Sequence, residues 1–335
     1  MVGPYPWQRA QWRRLNDAIE QDKLGHANLL SGIAGAGHDE FATQFAQRLL
    51  CEKVPDGQSY CGECRGCLQF VAGSHPDFMR VAPEEEGKAI GIDQIRSLSG
   101  FYALKPHYGG RKVTIISPAE NMNRAASNAL LKTLEEPPAG STILLVTDRY
   151  DAISMTVRSR CQRVPFERIE YESAKAWLED EVPSGTDIDE MLVYSGGAPL
   201  QALRRMEEGA GDLQDQFADS WQALRTKRAN PLEVAQTLRD TPIDVMISEL
   251  AIFIYSLIRS KILGENATEF EKVIPNKNLQ ACINELNLRD LYAISDVISE
   301  ARRQLLSATN PRDADLLDTI WLTINDRVQM STTAG

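Results

Sequence analysis

The stretch from Ala27 to Leu50 constrains this chain more than any other. Ala27 to Ser31 (ANLLS) reads as a short buried strand and Gly32 to Gly37 as a glycine-rich turn. Asp39 to Leu50 reads as a helix with Phe41, Phe45 and Leu49 on its inward face. A strand that feeds a helix in this way belongs in a parallel sheet, because parallel neighbours are joined by crossovers. The alternation continues: Phe78 to Val81, Val113 to Ile116, Ile143 to Thr147 and Arg163 to Phe166 read as strands. Helices are expected over Trp12 to Asp22, Ile92 to Tyr102 and Asn123 to Glu136, the last capped by Asn123 and stopped by Pro137 and Pro138. The expectation is an α/β domain, its sheet flanked by helices, with ligand chemistry at the carboxyl ends of the strands.

The glycine turn has the outline of a phosphate loop without its charge. In G-x-x-x-x-G-K-[ST], backbone N–H groups cradle phosphates, the lysine neutralises them and the hydroxyl helps hold Mg²⁺. Gly32 and Gly37 fall in place, but His38 stands where the lysine belongs and Asp39 where the hydroxyl belongs. A unit charge about 4 Å from a phosphate is worth roughly 4 kcal/mol at an effective dielectric near 20, so both changes act against nucleotide. The strand Val113 to Ile116 should lead into an acidic pair that holds Mg²⁺. Ser117 and Pro118 stand there instead, with Glu120 two residues further on. These two losses point to an ATPase fold without ATPase chemistry, and no productive ATP or Mg²⁺ binding is expected. A turn kept for packing and a weak backbone phosphate site both remain compatible with the loop.

Cysteines at 51, 61, 64 and 67 crowd one short span, three of them in CGECRGC. Overlapping C-x-x-C steps bring Cys61, Cys64 and Cys67 within reach of one tetrahedral ion, and Cys51 can complete a Cys₄ site. Gly62 and Gly66 let the backbone turn around it. A closed set of this kind predicts structural zinc; free thiols or a redox pair are the alternatives. His75, beside Pro76, reads as a turn residue rather than a ligand. The formal net charge of −11 excludes a protein that mainly coats nucleic acid. The run Ile243 to Ile258 is interrupted by Asp244 and Glu249, so it reads as a buried helix and not a membrane span. A cytoplasmic protein is expected.

After about Arg168 the strand patterns stop. Tyr171 to Val182, Asp187 to Tyr194 and Pro199 to Glu208 read as short helices, Gly209 to Gly211 as a hinge, and Leu213 to Val328 as helical throughout. Breaks are expected near Pro231, Pro242, Gly264, Pro275 and Pro311, and the final STTAG reads as a frayed tail. Ile247 to Arg259 is apolar nearly all round, which demands burial on several sides. Between the halves lies TVRSRCQ, Thr156 to Gln162. Arg158 and Arg160 read either as solvated surface charges or, for Arg160, as a planar cation reaching a phosphate site on another molecule. Cys161 reads as a small buried apolar residue, Lys132 and Glu135 as a surface pair, and Thr147 as either a sensor or a strand-end cap.

The succession YPW, HANLLSG, the glycine loop, the four-cysteine insert, HPDF (His75 to Phe78), NALLKTLEEPP (Asn128 to Pro138) and SRC (Ser159 to Cys161) resembles the bacterial DNA polymerase III clamp loader, an AAA+ family. The resemblance implies an AAA+ domain over 1–167 with a zinc module near 51–67, a small helical lid over 168–209 and an all-α collar over 210–335 that assembles a ring. Family motor subunits, gamma/tau, keep the lysine, the acidic pair and a sensor arginine where Leu200 stands here. These departures, with SRC retained, are similar to the non-hydrolysing stator member; an ATP-hydrolysing motor subunit is the alternative. A zinc-dependent nucleic-acid binder is a third reading, which the single Arg65 among the cysteines does not support. Implied roles are an arginine finger for Arg160, given in trans to a gamma/tau neighbour, and a positioning role for Ser159. Implied partners are gamma/tau, delta, the sliding clamp and primer-template DNA.

Overall fold

A computed structural model describes residues 3–54, 59–85, 87–108, 110–166, 168–263, 287–305 and 312–333. The expected breaks at Gly264, Pro275 and Pro311 lie outside the described residues. The chain divides into two compact units, 1–173 and 174–335.

In the first unit, strands β1 (Ala27–Ser31), β2 (Phe78–Val81), β3 (Lys112–Ile116), β4 (Ser141–Thr147) and β5 (Gln162–Pro165) form one sheet in the order β2-β3-β4-β1-β5. Every pairing is parallel. Alternate residues serve opposite faces, as the pleat requires. Leu30, Ile115 and Val146 pack with Leu15 of α1 (Arg9–Glu20) and with Phe41 and Phe45 of α2 (His38–Leu50). Leu29, Ile116 and Leu145 meet Ile95 and Leu98 of α4 (Ile92–Ala103), and Leu130 and Leu134 of α5 (Arg124–Glu135). Trp12 adds edge-on contacts to Phe41 and Phe45 at centroid distances of 5.4 and 5.7 Å. This is the parallel sheet covered by helices on both faces that the sequence predicts, with strand positions within two residues of expectation. A short helix in the cysteine insert, α3 (Arg65–Val71), was not legible; its N-cap is Cys64, whose sulfur accepts from Cys67 N.

HPDF acquires a structural reason. Asp77, 1% exposed, accepts from His107 N at 2.8 Å and Tyr108 N at 3.2 Å, and faces Lys112 Nζ at 3.5 Å. Its own N–H donates to His75 Nδ1 at 3.1 Å. A buried carboxylate with this many donors joins β2 to the turn before β3.

The second unit is helical: α7 (Tyr171–Glu181, begun in the first unit), α8 (Ile188–Tyr194), α9 (Pro199–Glu207), α10 (Ala210–Arg225), α11 (Pro231–Thr237), α12 (Ile243–Leu263), α13 (Leu288–Leu305) and α14 (Asp313–Thr333). Its core gathers Phe217, Trp221, Phe253 and Trp321. The burial demand of α12 is met within the chain by Ile247, Leu250, Phe253, Ile254 and Leu257, leaving Tyr255 and Ile262 exposed. Glu249, which interrupts that apolar run, is buried against Arg205 at 2.7 Å and accepts from Gln214 Nε2 at 2.7 Å. That network ties α9, α10 and α12 together around Gly209, whose left-handed φ of +70° allows the chain to bend directly into α10. Of the tail expected to fray, residues 331–333 continue α14, and residues 334–335 lie outside the described residues.

Asp77→Ala leaves Lys112 buried without its carboxylate and should lower the unfolding free energy by about 3 kcal/mol, measured by urea titration. Glu190 gives a pH signature. Burial first, then the Asp187 and Asp215 carboxylates, push its pKa up to about 7. The folded chain then holds this proton more tightly than the unfolded chain, so its contribution is present below about pH 4.5 and lost as pH rises through about 7. Glu190→Gln should flatten that part of the stability profile, which thermal melts across pH 4 to 8 will read.

Candidate functional site

The parallel register builds the loop site. Ser31 pairs with Thr147 on one side and Pro165 on the other, so Gly32, Asp148 and Phe166 leave three adjacent strand ends together. The turn itself is held from outside: Trp7 Nε1 donates to Ala36 O at 2.9 Å, and Gln8 Nε2 to Ala36 O and Gly37 O at 2.8 and 2.7 Å. Gln8 is completely buried. Gly35 and Gly37 take left-handed φ values of +78° and +77°, and Gly37 opens α2. The YPW motif and its following glutamine thus clamp the loop.

Each polar residue at the loop has a partner in this chain. His38 Nε2 donates to Asp148 Oδ1 at 2.8 Å. Asp39 accepts from Arg80 Nη1 at 3.1 and 3.2 Å, and Arg80 Nη2 donates to Thr43 Oγ1 at 2.6 Å. Glu120, after β3, lies 3.8 Å from Arg149 Nε. Thr147 Oγ1 accepts from Arg149 N at 3.1 Å, which makes it a strand-end cap here. Asp148, Arg80, Gln8 and Arg149 escaped sequence reasoning. Asp148 and Arg149 had one available signal, their position directly after a buried strand.

SRC follows α6 (Met155–Arg158), a single turn capped by Ser154. Ser159 Oγ donates to Thr156 O at 3.1 Å, and Arg160 Nη1 to the same carbonyl at 3.0 Å. Arg160 Nη2 reaches Glu135 Oε1 at 2.6 Å. Glu135 therefore pairs with Arg160 and not, as expected, with Lys132, because α5 ends beside the SRC turn. Arg160 keeps 35% of its side chain exposed, while Arg158 is occupied by Asp151 at 3.0 Å and the Tyr150 ring at 4.8 Å. Burial pushes the Cys161 thiol up to about 12, consistent with an inert packing residue.

The four cysteine sulfurs lie within 4.8 Å of one another. Cys51 is 3.6 Å from Cys61 and 3.9 Å from Cys64, and Cys61 is 3.9 Å from Cys67. A tetrahedron with metal–sulfur distances of about 2.3 Å has edges of about 3.8 Å, so this set fits a metal ion. Gly62 turns at φ +75°, and a Cβ on Gly66 would sit 2.6 Å from Leu50 O. Both glycines are needed to close the set. Burial, then the Cys64 thiol, push the Cys67 thiol upward. His75 stays outside this set, its Nδ1 engaged by Asp77 N. No helix among the described residues is long and apolar enough to cross a membrane.

Residues 7–170 match the family model described as DNA polymerase III, delta subunit. The DNA polymerase III subunit delta' of Pseudomonas aeruginosa is 30% identical over 96% of this chain and 97% of its own length. The subunits of that name from Escherichia coli and Haemophilus influenzae are 34% and 33% identical. The first alignment covers 66% of this chain and 64% of that protein, the second 70% and 71%. With 30% identity over nearly its whole length to that Pseudomonas aeruginosa protein, this chain belongs to the DNA polymerase III delta' subunit family.

Proposed function

We propose that this chain is the non-hydrolysing stator of a cytoplasmic DNA polymerase III clamp loader. In that role it helps load the sliding clamp on primer-template DNA with gamma/tau and delta as partners. The observation that carries the reading is the loop site, where His38, Asp39 and Glu120 are each matched by Asp148, Arg80 and Arg149 of the same chain. An ATP-hydrolysing subunit needs a free cation for the phosphates and a carboxylate for Mg²⁺, which these pairs do not supply.

Arg160 acts, in this proposal, on the ATP site of an adjacent gamma/tau subunit. Its guanidinium is half of a surface pair with Glu135, anchored at the turn by Thr156 O, and Ser159 holds the same carbonyl. Exchange of Glu135 for a neighbour's γ-phosphate replaces one charge-assisted hydrogen bond with another of the same geometry. Cys51, Cys61, Cys64 and Cys67 would hold zinc, which supplies a structural cross-link between the end of α2 and α3 when bound. Residues 168–209 and 210–335 are proposed as lid and collar, the collar being the assembling part.

Arg160→Ala should lower the clamp-loading rate of a reconstituted loader at least tenfold, fingers in trans being worth about a thousandfold in related chemistry. The same substitution should change the stability of the isolated chain by less than about 1 kcal/mol, since it removes only an exposed pair. Unchanged ATPase and loading rates would refute the in-trans role. For the metal, elemental analysis of the purified chain should give one zinc per molecule, and Cys64→Ser should abolish it and lower the Tm.

A further inference from the structure

We propose that the His38 ring, latched by Asp148, occupies the seat that the loop offers to phosphate, so the site is plugged and not merely uncharged. The inference rests on the reading that this loop no longer serves Mg-ATP and supplies its steric cause. The ring lies across the three strand ends that meet at the loop. Nε2 is bonded to Asp148 at the end of β4, and the ring centroid is 5.8 Å from that of Phe166 beyond β5. Nδ1 lies 3.3 Å, and Cε1 3.6 Å, from where a Cβ on Gly32 would stand at the end of β1. The residue is 4% exposed, and Nδ1 is buried with no hydrogen-bond partner.

That orphaned nitrogen is informative. The first N–H groups of a helix such as α2, thirteen residues long, lack intrahelical acceptors and favour an anion. Gly35 and Gly37, both left-handed, give the turn the backbone that a phosphate cradle needs. A phosphate in the seat would receive those N–H groups, whereas Nδ1 receives none. The ring therefore excludes the anion without imitating it, and Asp148 adds a repelling carboxylate at the rim. Asp39 is no obstacle of its own, since Arg80 holds both of its oxygens.

Inorganic pyrophosphate is the probe, titrated against the full chain at constant ionic strength and read by thermal shift and calorimetry. The native protein should be silent at millimolar concentration. His38→Ala should bind at least about tenfold more tightly than native, with a Tm that rises with ligand as mass action requires. His38→Phe, which keeps a ring in the seat, should stay silent. A silent but folded His38→Ala, or a His38→Phe that binds equally well, overturns the plug and leaves the stator reading standing. Mg-ATP turnover by the native chain would overturn that reading instead. If His38→Ala does not fold, ¹⁵N spectra of the native histidines decide. The proton should sit on Nε2 of His38 and be unmoved by pyrophosphate, and either the other tautomer or a pyrophosphate-induced shift refutes the proposal.

Discussion

The side-by-side pairing of β1 with β4 and β5 is the constraint on which everything else in the first unit depends. Because the register is fixed by burial on both faces, a slip of one residue would turn Leu29 and Leu30 toward the wrong cores. The same register delivers Gly32, Asp148 and Phe166 to one edge. The side chains placed on that edge, and not the strand scaffold, therefore decide what the loop can hold.

Much of this was written locally. The strand, glycine turn and helix at 27–50 follow from period and turn chemistry, and the cysteine set from spacing alone. What local pattern could not reveal are pairings between distant segments. Glu135 looked like the partner of Lys132 on its own helix, yet the end of α5 abuts the SRC turn and Arg160 takes it. Asp77 looked like part of a motif without a task until the backbone of the turn at His107 and Tyr108 folded over it. The apolar run in α12 left its partner undetermined, and most of it is covered by α13 and α10. Periodicity states how much of a helix must be buried, not what buries it.

The two charged motifs of the first unit show contrasting economies. At the loop, acid and base are matched inside the chain, with His38 and Glu120 nearly out of solvent. At SRC, the guanidinium is left a third exposed on a short, well-capped turn. Partly solvated pairs exchange partners at little cost, while buried ones resist it. His38 and Glu120 are thereby locked into the shape of this chain, while the Asp39–Arg80 and Glu135–Arg160 pairs both stay partly solvated.

The clamp of Trp7 and Gln8 on the loop carbonyls has an evolutionary corollary. Since the turn is gripped by Trp7 and Gln8, its contour is held by hydrogen bonds within the chain, and the left-handed glycines at 35 and 37 are the parts that shape alone requires. Positions 38 and 39 are then free to drift, but only in step with 148 and 80, their respective counter-charges. Lineages that retain the turn should accordingly vary these sites as couples, whichever amino acids they settle on.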